Sequence, residues 1–94
     1  MRLFVHGERR IALFNAGGAL YATDEVCTHD YAELTQGYFE PDDCTIECPL
    51  HGSMFDIRSG RPLTLPAFQP LAIYRLEAHD DGVYIDFAEA PTLW

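Results

Sequence analysis

Two short Cys/His pairs, Cys27-Thr28-His29 and Cys48-Pro49-Leu50-His51, flank one turn-rich stretch and together supply two thiolates and two imidazoles. Two soft sulfurs with two borderline nitrogens suit a metal centre, either tetrahedral zinc or a 2Fe-2S cluster in which histidines replace two cysteines on one iron. Within each motif the short spacing brings sulfur and imidazole to opposite sides of a loop. Cys27 and Cys48 would then serve one metal position and His29 and His51 the other. A lone Cys-x-His is weak evidence, but Cys-x-His followed by Cys-x-x-His-Gly between strands is strong.

The elements that must position these loops are short and β-like. Alternating or aliphatic runs at 3–5, 10–14, 20–23, 45–48, 54–57, 71–76 and 83–87 are separated by turn signals such as His6-Gly7, Ala16-Gly17-Gly18, Arg58-Ser59-Gly60 and Asp80-Asp81-Gly82. No segment sustains helical periodicity for three turns, and the best helical candidate is a single turn near 32–34. The expected fold class is all-β with antiparallel sheets. Both ligand pairs fall in loops next to strands. A third segment, 62–70, holds three prolines and cannot be a central strand, so it should be a stiff surface loop, either a plain connection or a lid against the metal site.

Ninety-four residues make one small domain that buries only ~60–65% of its unfolded surface and gains from a metal tying distant loops together. No apolar run approaches the ~20 residues of a membrane span, and no basic-then-apolar signal opens the chain, so it reads as soluble and cytoplasmic. Three cysteines are too few for a disulfide framework, which fits a reducing compartment. Cys44 is left over, and alternation places it with Ile46 as a buried core residue rather than a third ligand. Fifteen carboxylates against six arginines and no lysine give a net charge of −9. That field argues against nucleic acid and steers toward basic protein surfaces. Asp24, Glu25, Asp30, Glu33, Asp42 and Asp43 surround the loops as a docking rim or a solvated acidic face. His6 and His79 read as turn residues, not ligands.

The chain resembles the Rieske proteins, and more narrowly the small Rieske ferredoxins of multicomponent aromatic-ring dioxygenases. The resemblance runs from about Arg10 to Phe87. It is carried by Ile11-Ala12-Leu13-Phe14-Asn15, Leu20-Tyr21-Ala22, Cys27-Thr28-His29, Leu34-Thr35-Gln36-Gly37, Glu47-Cys48-Pro49-Leu50-His51-Gly52, Phe55-Asp56 and Ser59-Gly60. It implies a sandwich of small antiparallel sheets, a single domain over 1–94 with a cluster-binding subdomain at about 26–66, and one Rieske [2Fe-2S] cluster on Cys27, His29, Cys48 and His51. Sulfur would hold an inner iron and nitrogen an outer one. The added electron would reside mainly on the histidine-ligated iron, where neutral ligands favour the ferrous state.

Some residues depart from the family pattern. The stretch between His29 and Cys48 is slightly longer than usual, with Glu40-Pro41-Asp42-Asp43 as the enlarged turn, and Asp30 stands where glycine is common. The chain also begins where the family has an earlier strand, so that edge strand is absent or the true start lies upstream. Respiratory-type Rieske proteins carry a disulfide beside the cluster, whereas Tyr31 and Leu50 stand in the corresponding region here. Ser53 can supply a hydrogen bond toward the site, but Phe55 lacks the hydroxyl that a tyrosine would bring. The expected reduction potential is therefore toward the low end of the Rieske range, roughly −150 mV, and it falls with pH once exposed ligand histidines deprotonate.

The residues offer no nucleotide-binding glycine loop, flavin site or two-His-one-carboxylate iron centre, so the chain cannot activate oxygen by itself. The expected role is a monomeric one-electron carrier, not an enzyme, that docks transiently first on a flavin-dependent reductase and then on a terminal oxygenase. Alternatives are a structural Cys2His2 zinc module, the small Rieske subunit of a nitrite reductase, or a detached Rieske domain of an oxygenase.

Overall fold

The computed structural model describes residues 1–28, 32–50, 52–65 and 69–86. Nine strands run through them: β1 (Arg2–His6), β2 (Arg9–Ala16), β3 (Ala19–Asp24), β4 (Tyr38–Glu40), β5 (Thr45–Glu47), β6 (Met54–Asp56), β7 (Ile73–Tyr74), β8 (Leu76–His79) and β9 (Gly82–Ile85). Among the described residues the helical element is one 3-10 turn, Leu34–Gln36. All ladders are antiparallel, as the short alternating runs predict.

The strands form a four-stranded sheet in the order β1-β2-β3-β7, a three-stranded sheet β4-β5-β6, and the hairpin β8-β9. In the first sheet the exposed strand β1 lies at the edge, while β2 is central and has Ile11, Ala12 and Phe14 buried. The second sheet pairs Phe39 with Ile46 and Ile46 with Phe55. Phe14 from the first sheet meets Phe39 from the second at 5.0 Å between ring centroids, with the planes tilted by 55°. Around that contact a single apolar cluster gathers Ala12, Phe14, Cys27, Leu34, Ile46, Cys48, Phe55, Ile57 and Leu71. Both cysteines of the ligand motifs are therefore part of the core that joins the sheets.

Several local expectations shift. The helical turn falls two residues later than the sequence suggests, with Leu34 N bonded to Glu25 O, Thr35 N to Glu25 Oε1 and Gln36 N to Glu33 O. Strand β4, Tyr-Phe-Glu, escapes the pattern reading because it has no aliphatic or β-branched residue. The run 71–76 is divided between β7 and β8. Phe87, expected to end the last strand, lies outside the described residues. Cys44 does not sit in β5: it occupies the preceding turn at φ 56°, half-buried, and packs its side chain against the core from there.

Two close approaches shape the region around the second cysteine. A Cβ on Gly37 would stand 2.0 Å from the Glu47 carbonyl oxygen, so only glycine lets the chain entering β4 lie against the end of β5. Gly60 has φ +79°, and a Cβ there would stand 2.2 Å from the Leu71 carbonyl oxygen. Gly60 also donates to Asp56 O at 2.8 Å and accepts from Leu71 N at 2.8 Å, which joins β6 to the segment leading into β7. The same turn is locked by Asp56, whose carboxylate accepts from Arg58 N at 2.8 Å, Arg58 Nε at 3.1 Å and Arg58 Nη2 at 2.8 Å. On the other sheet the Tyr74 hydroxyl donates to Asp24 Oδ1 at 2.6 Å. Burial, together with that carboxylate, pushes the Tyr74 hydroxyl up to about 12.

Two outcomes follow. Gly60→Ala forces an L-residue into the left-handed region against a carbonyl, and denaturant unfolding should show a loss of more than about 1–2 kcal/mol. The hydrogen bonds from Arg58 hold the Asp56 carboxyl below its usual range. The unfolded state therefore binds its proton first, and the turn's contribution is present above the unfolded carboxylate pKa of about 3.9 and lost as pH falls through the lower folded value. Asp56→Asn should flatten the acid limb of a stability profile below about pH 4, and an unchanged acid limb would contradict the role of this pair.

Candidate metal centre

The chain leaves β3 with alternating burial: Thr23, Glu25 and Cys27 are buried, while Asp24 and Val26 are partly exposed. That parity turns the Cys27 side chain inward to the apolar cluster, where it is fully buried. Glu25 N donates to Arg10 O at 3.0 Å, which fixes this segment to the start of β2. The segment then pairs with the returning chain through the Val26–Glu33 bridge, Cys27 N to Ala32 O at 2.8 Å, and Leu34 N to Glu25 O at 2.8 Å. The first ligand loop therefore departs from and returns to a hydrogen-bonded base whose last rung is the Cys27 amide.

The second loop is built the same way. Strand pairing of Glu47 with Met54 brings the ends together, and Cys48 N donates to Ser53 O at 2.7 Å. Cys48 is buried at 1% exposure and Ser53 completely, whereas Pro49, Leu50 and Gly52 are exposed. Each cysteine thus closes its own loop with its backbone N–H and turns its side chain into the shared core. Neither cysteine is in a disulfide, and a pair of buried thiols at the bases of two neighbouring loops fits sulfur ligation of one iron.

The expected ligand set is half covered by these facts. Cys27 and Cys48 are brought into one cluster, while His29 and His51 lie outside the described residues. Among the described residues no group of three or more His, Cys, Asp or Glu side chains is placed to hold a metal ion. His6 ends β1, and His79 sits at the end of β8 with Nε2 3.3 Å from Glu77 Oε2 and its ring edge-on to Tyr84. Asp30 and Tyr31 also lie outside the described residues.

The proline-rich segment is tied to both loops. Thr28 Oγ1 donates to Gln69 O at 2.8 Å, Leu63 N donates to Met54 O at 2.7 Å, and Met54 N donates to Thr64 Oγ1 at 2.9 Å. Pro62 makes a single bridge to Phe55, an edge position that tolerates the missing N–H. Residues 66–68 lie outside the described residues. The Thr28 contact was illegible in the sequence, because a threonine between two ligand candidates shows nothing of a partner so far along the chain.

The acidic rim needs one correction. Glu33, Asp42 and Asp43 are exposed, with Glu33 paired to Arg10 at 3.1 Å, and Asp24 is engaged by Tyr74. Glu25 leaves the rim altogether: it is completely buried, with its carboxylate oxygens accepting from Thr35 N at 2.9 Å and from Thr35 Oγ1. Counting back by twos from Cys27 would have found it, since 23, 25 and 27 share the inward face.

Thr28→Val should remove the cross-loop hydrogen bond at nearly constant volume. A loss of ~0.5–1.5 kcal/mol in denaturant unfolding, with faster amide exchange at Gln69 and its neighbours, is the expected outcome.

Comparison with known proteins places this architecture. Residues 1–75 match the family model of the Rieske [2Fe-2S] domain. The chain is 45% identical over 80 residues to the 3-phenylpropionate/cinnamic acid dioxygenase ferredoxin subunit of Shigella flexneri serotype 5b (strain 8401), covering 85% of this chain and 74% of that protein. It superposes on the ferredoxin of carbazole 1,9a-dioxygenase from Nocardioides aromaticivorans IC177 with a TM-score of 0.84 and 30% identity, over 89% of this chain and 81% of the other. A ferredoxin in a complex of reduced oxygenase and oxidised ferredoxin in carbazole 1,9a-dioxygenase matches with a TM-score of 0.82 and 34% identity, over 90% and 86% of the two chains. These matches favour the ferredoxin reading over the zinc module and the nitrite reductase subunit. With most of its length matched, and with two buried cysteines, neither in a disulfide, at the bases of paired loops, the chain belongs to the Rieske [2Fe-2S] domain family.

Proposed function

We propose that this protein is a one-electron carrier that takes electrons from a flavin-dependent reductase and delivers them to the terminal oxygenase of an aromatic-ring dioxygenase system in the cytoplasm. The observation that carries the reading is the burial of Cys27 and Cys48 in one apolar cluster, each closing a loop with its own amide. The relatives support the rest: a dioxygenase ferredoxin subunit at 45% identity, and a ferredoxin bound to an oxygenase with nearly the same backbone. No helix among the described residues is long and apolar enough to cross a membrane.

Cys27 and Cys48 would hold the inner iron of one Rieske cluster through sulfur, and His29 and His51 the outer iron through nitrogen. When bound, that cluster supplies one reversible electron at a potential above that of all-cysteine clusters. The chain's own contribution is rigidity and exclusion of water. Phe14, Leu34, Ile46, Phe55 and Ile57 wall the sulfur side with apolar surface, so solvent does not reorganise there when charge changes. The hydrogen-bonded loop bases fix the two cysteine backbones, and Ser53, which accepts the Cys48 amide, is itself fully buried. The carrier role also sets the kind of docking. Interfaces of exchanging redox partners are small, below about 1,200 Å² in total, and the net charge of −9 steers the chain toward basic surfaces.

Cys27→Ser or Cys48→Ser should abolish bound iron and sulfide together with the visible absorption of the purified protein, while Cys44→Ser should leave both intact. Iron retained in full by either ligand variant would contradict the assignment. In a reconstituted system with a flavoprotein reductase and a ring-hydroxylating oxygenase, the second-order rate of electron delivery should fall as ionic strength rises from 0.01 to ~0.15 M, across which the Debye length shrinks from about 30 to about 8 Å. A flat salt dependence would remove charge from the docking account.

A further inference from the structure

Glu25 is a buried carboxylate that the electron-carrier reading leaves without a task. It is 0% exposed and lies two residues before Cys27. Burying a carboxylate without partners is strongly unfavourable, so its hydrogen bonds indicate what it was placed to hold. Both go to one residue: Thr35 N donates to Oε1 at 2.9 Å, and Thr35 Oγ1 donates to Oε2. The backbone of Glu25 holds the two other sides, with its N–H on Arg10 O and its carbonyl accepting from Leu34 N. Residue 25 therefore grips β2, Leu34 and Thr35 at once, and the Cys27–Ala32 bond forms the next rung inward.

We propose that Glu25 is the positioning residue for Cys27: its side chain clamps the Leu34–Gln36 turn so that the stem carrying Cys27 is held in place in both oxidation states. The inference rests on the reading that Cys27 holds iron. A surface acid would serve solubility equally well, so burial on both oxygens is the sign that the carboxylate fixes the stem. Thr35 is the complementary half. Its amide is an orphan donor of the 3-10 turn, and its hydroxyl gives the second carboxylate oxygen a partner.

The test uses the cluster-loaded protein and four variants. Thr35→Val removes the hydroxyl at constant volume, and Glu25→Ala removes both acceptors. Glu25→Gln keeps an acceptor for the Thr35 amide and offers an NH2 to its hydroxyl, and Thr35→Ser keeps the hydroxyl. Thr35→Val and Glu25→Ala should broaden and shift the electron paramagnetic resonance spectrum of the reduced protein. Both should also speed iron loss to a chelator several-fold, less than the effect of removing a direct partner of a metal ligand. Glu25→Gln and Thr35→Ser should restore the wild-type spectrum and retention. Variants that melt earlier yet keep the wild-type spectrum and iron retention would make the clamp merely structural and overturn the proposal. If Glu25→Ala does not fold, Thr35→Val decides by the same criteria. A wild-type protein without iron and sulfide would sink the metal-centre reading itself, whereas loaded protein with unchanged variants would sink only the role of Glu25.

Discussion

The structure depends on two backbone hydrogen bonds, those in which Cys27 and Cys48 donate their amides to Ala32 and Ser53 across the bases of their loops. A loop that must present a metal ligand needs a stem that does not open. One stem is the single bridge Val26–Glu33 and the other the end of the β5–β6 pairing, and each finishes on the cysteine itself. The consequence is that both sulfurs belong to the hydrophobic core rather than to the loops they begin. Loss of packing in that core and loss of the site would therefore be the same event, and a bound metal would in turn stabilise the sheets it joins.

Around those stems the chain spends its special residues. Gly37 and Gly60 occur where a Cβ would strike a carbonyl, one beside the end of β5 and one between β6 and β7. Asp56 and Arg58 lock the turn that follows β6, Thr28 and Gln69 join the first loop to the proline-rich segment, and Glu25 fastens the first stem from within. The remote hairpin β8-β9 is held by its backbone ladder, and exposed local pairs such as His79 with Glu77 and Tyr84 with Asp81 contribute little.

The sequence carried the antiparallel character and most strand positions, because turn signals such as Gly17-Gly18 and Asp81-Gly82 separate runs of apolar alternation. The family resemblance also implied that the cysteines lie on the inner side. The sequence did not carry what depends on partners distant in the chain. β4 is three residues long and exists because β5 offers a ladder, so local pattern could not reveal it. Cys44 shares the parity of Ile46, yet the turn after Pro41 takes it out of the strand and reaches the core from another direction. Glu25 was read as surface because it is charged, although the parity of Thr23 and Cys27 already placed it inside.

The central claim is that one pair of irons is held between these loops by the sulfurs of Cys27 and Cys48 and the nitrogens of His29 and His51. Pulsed electron paramagnetic resonance on the reduced protein tests it most directly. The account predicts a mixed-valence signal coupled to two imidazole nitrogens, with one coupling lost when either His29 or His51 is replaced by Cys. A reduced protein with no nitrogen coupling, or one holding only zinc and giving no signal, would contradict it.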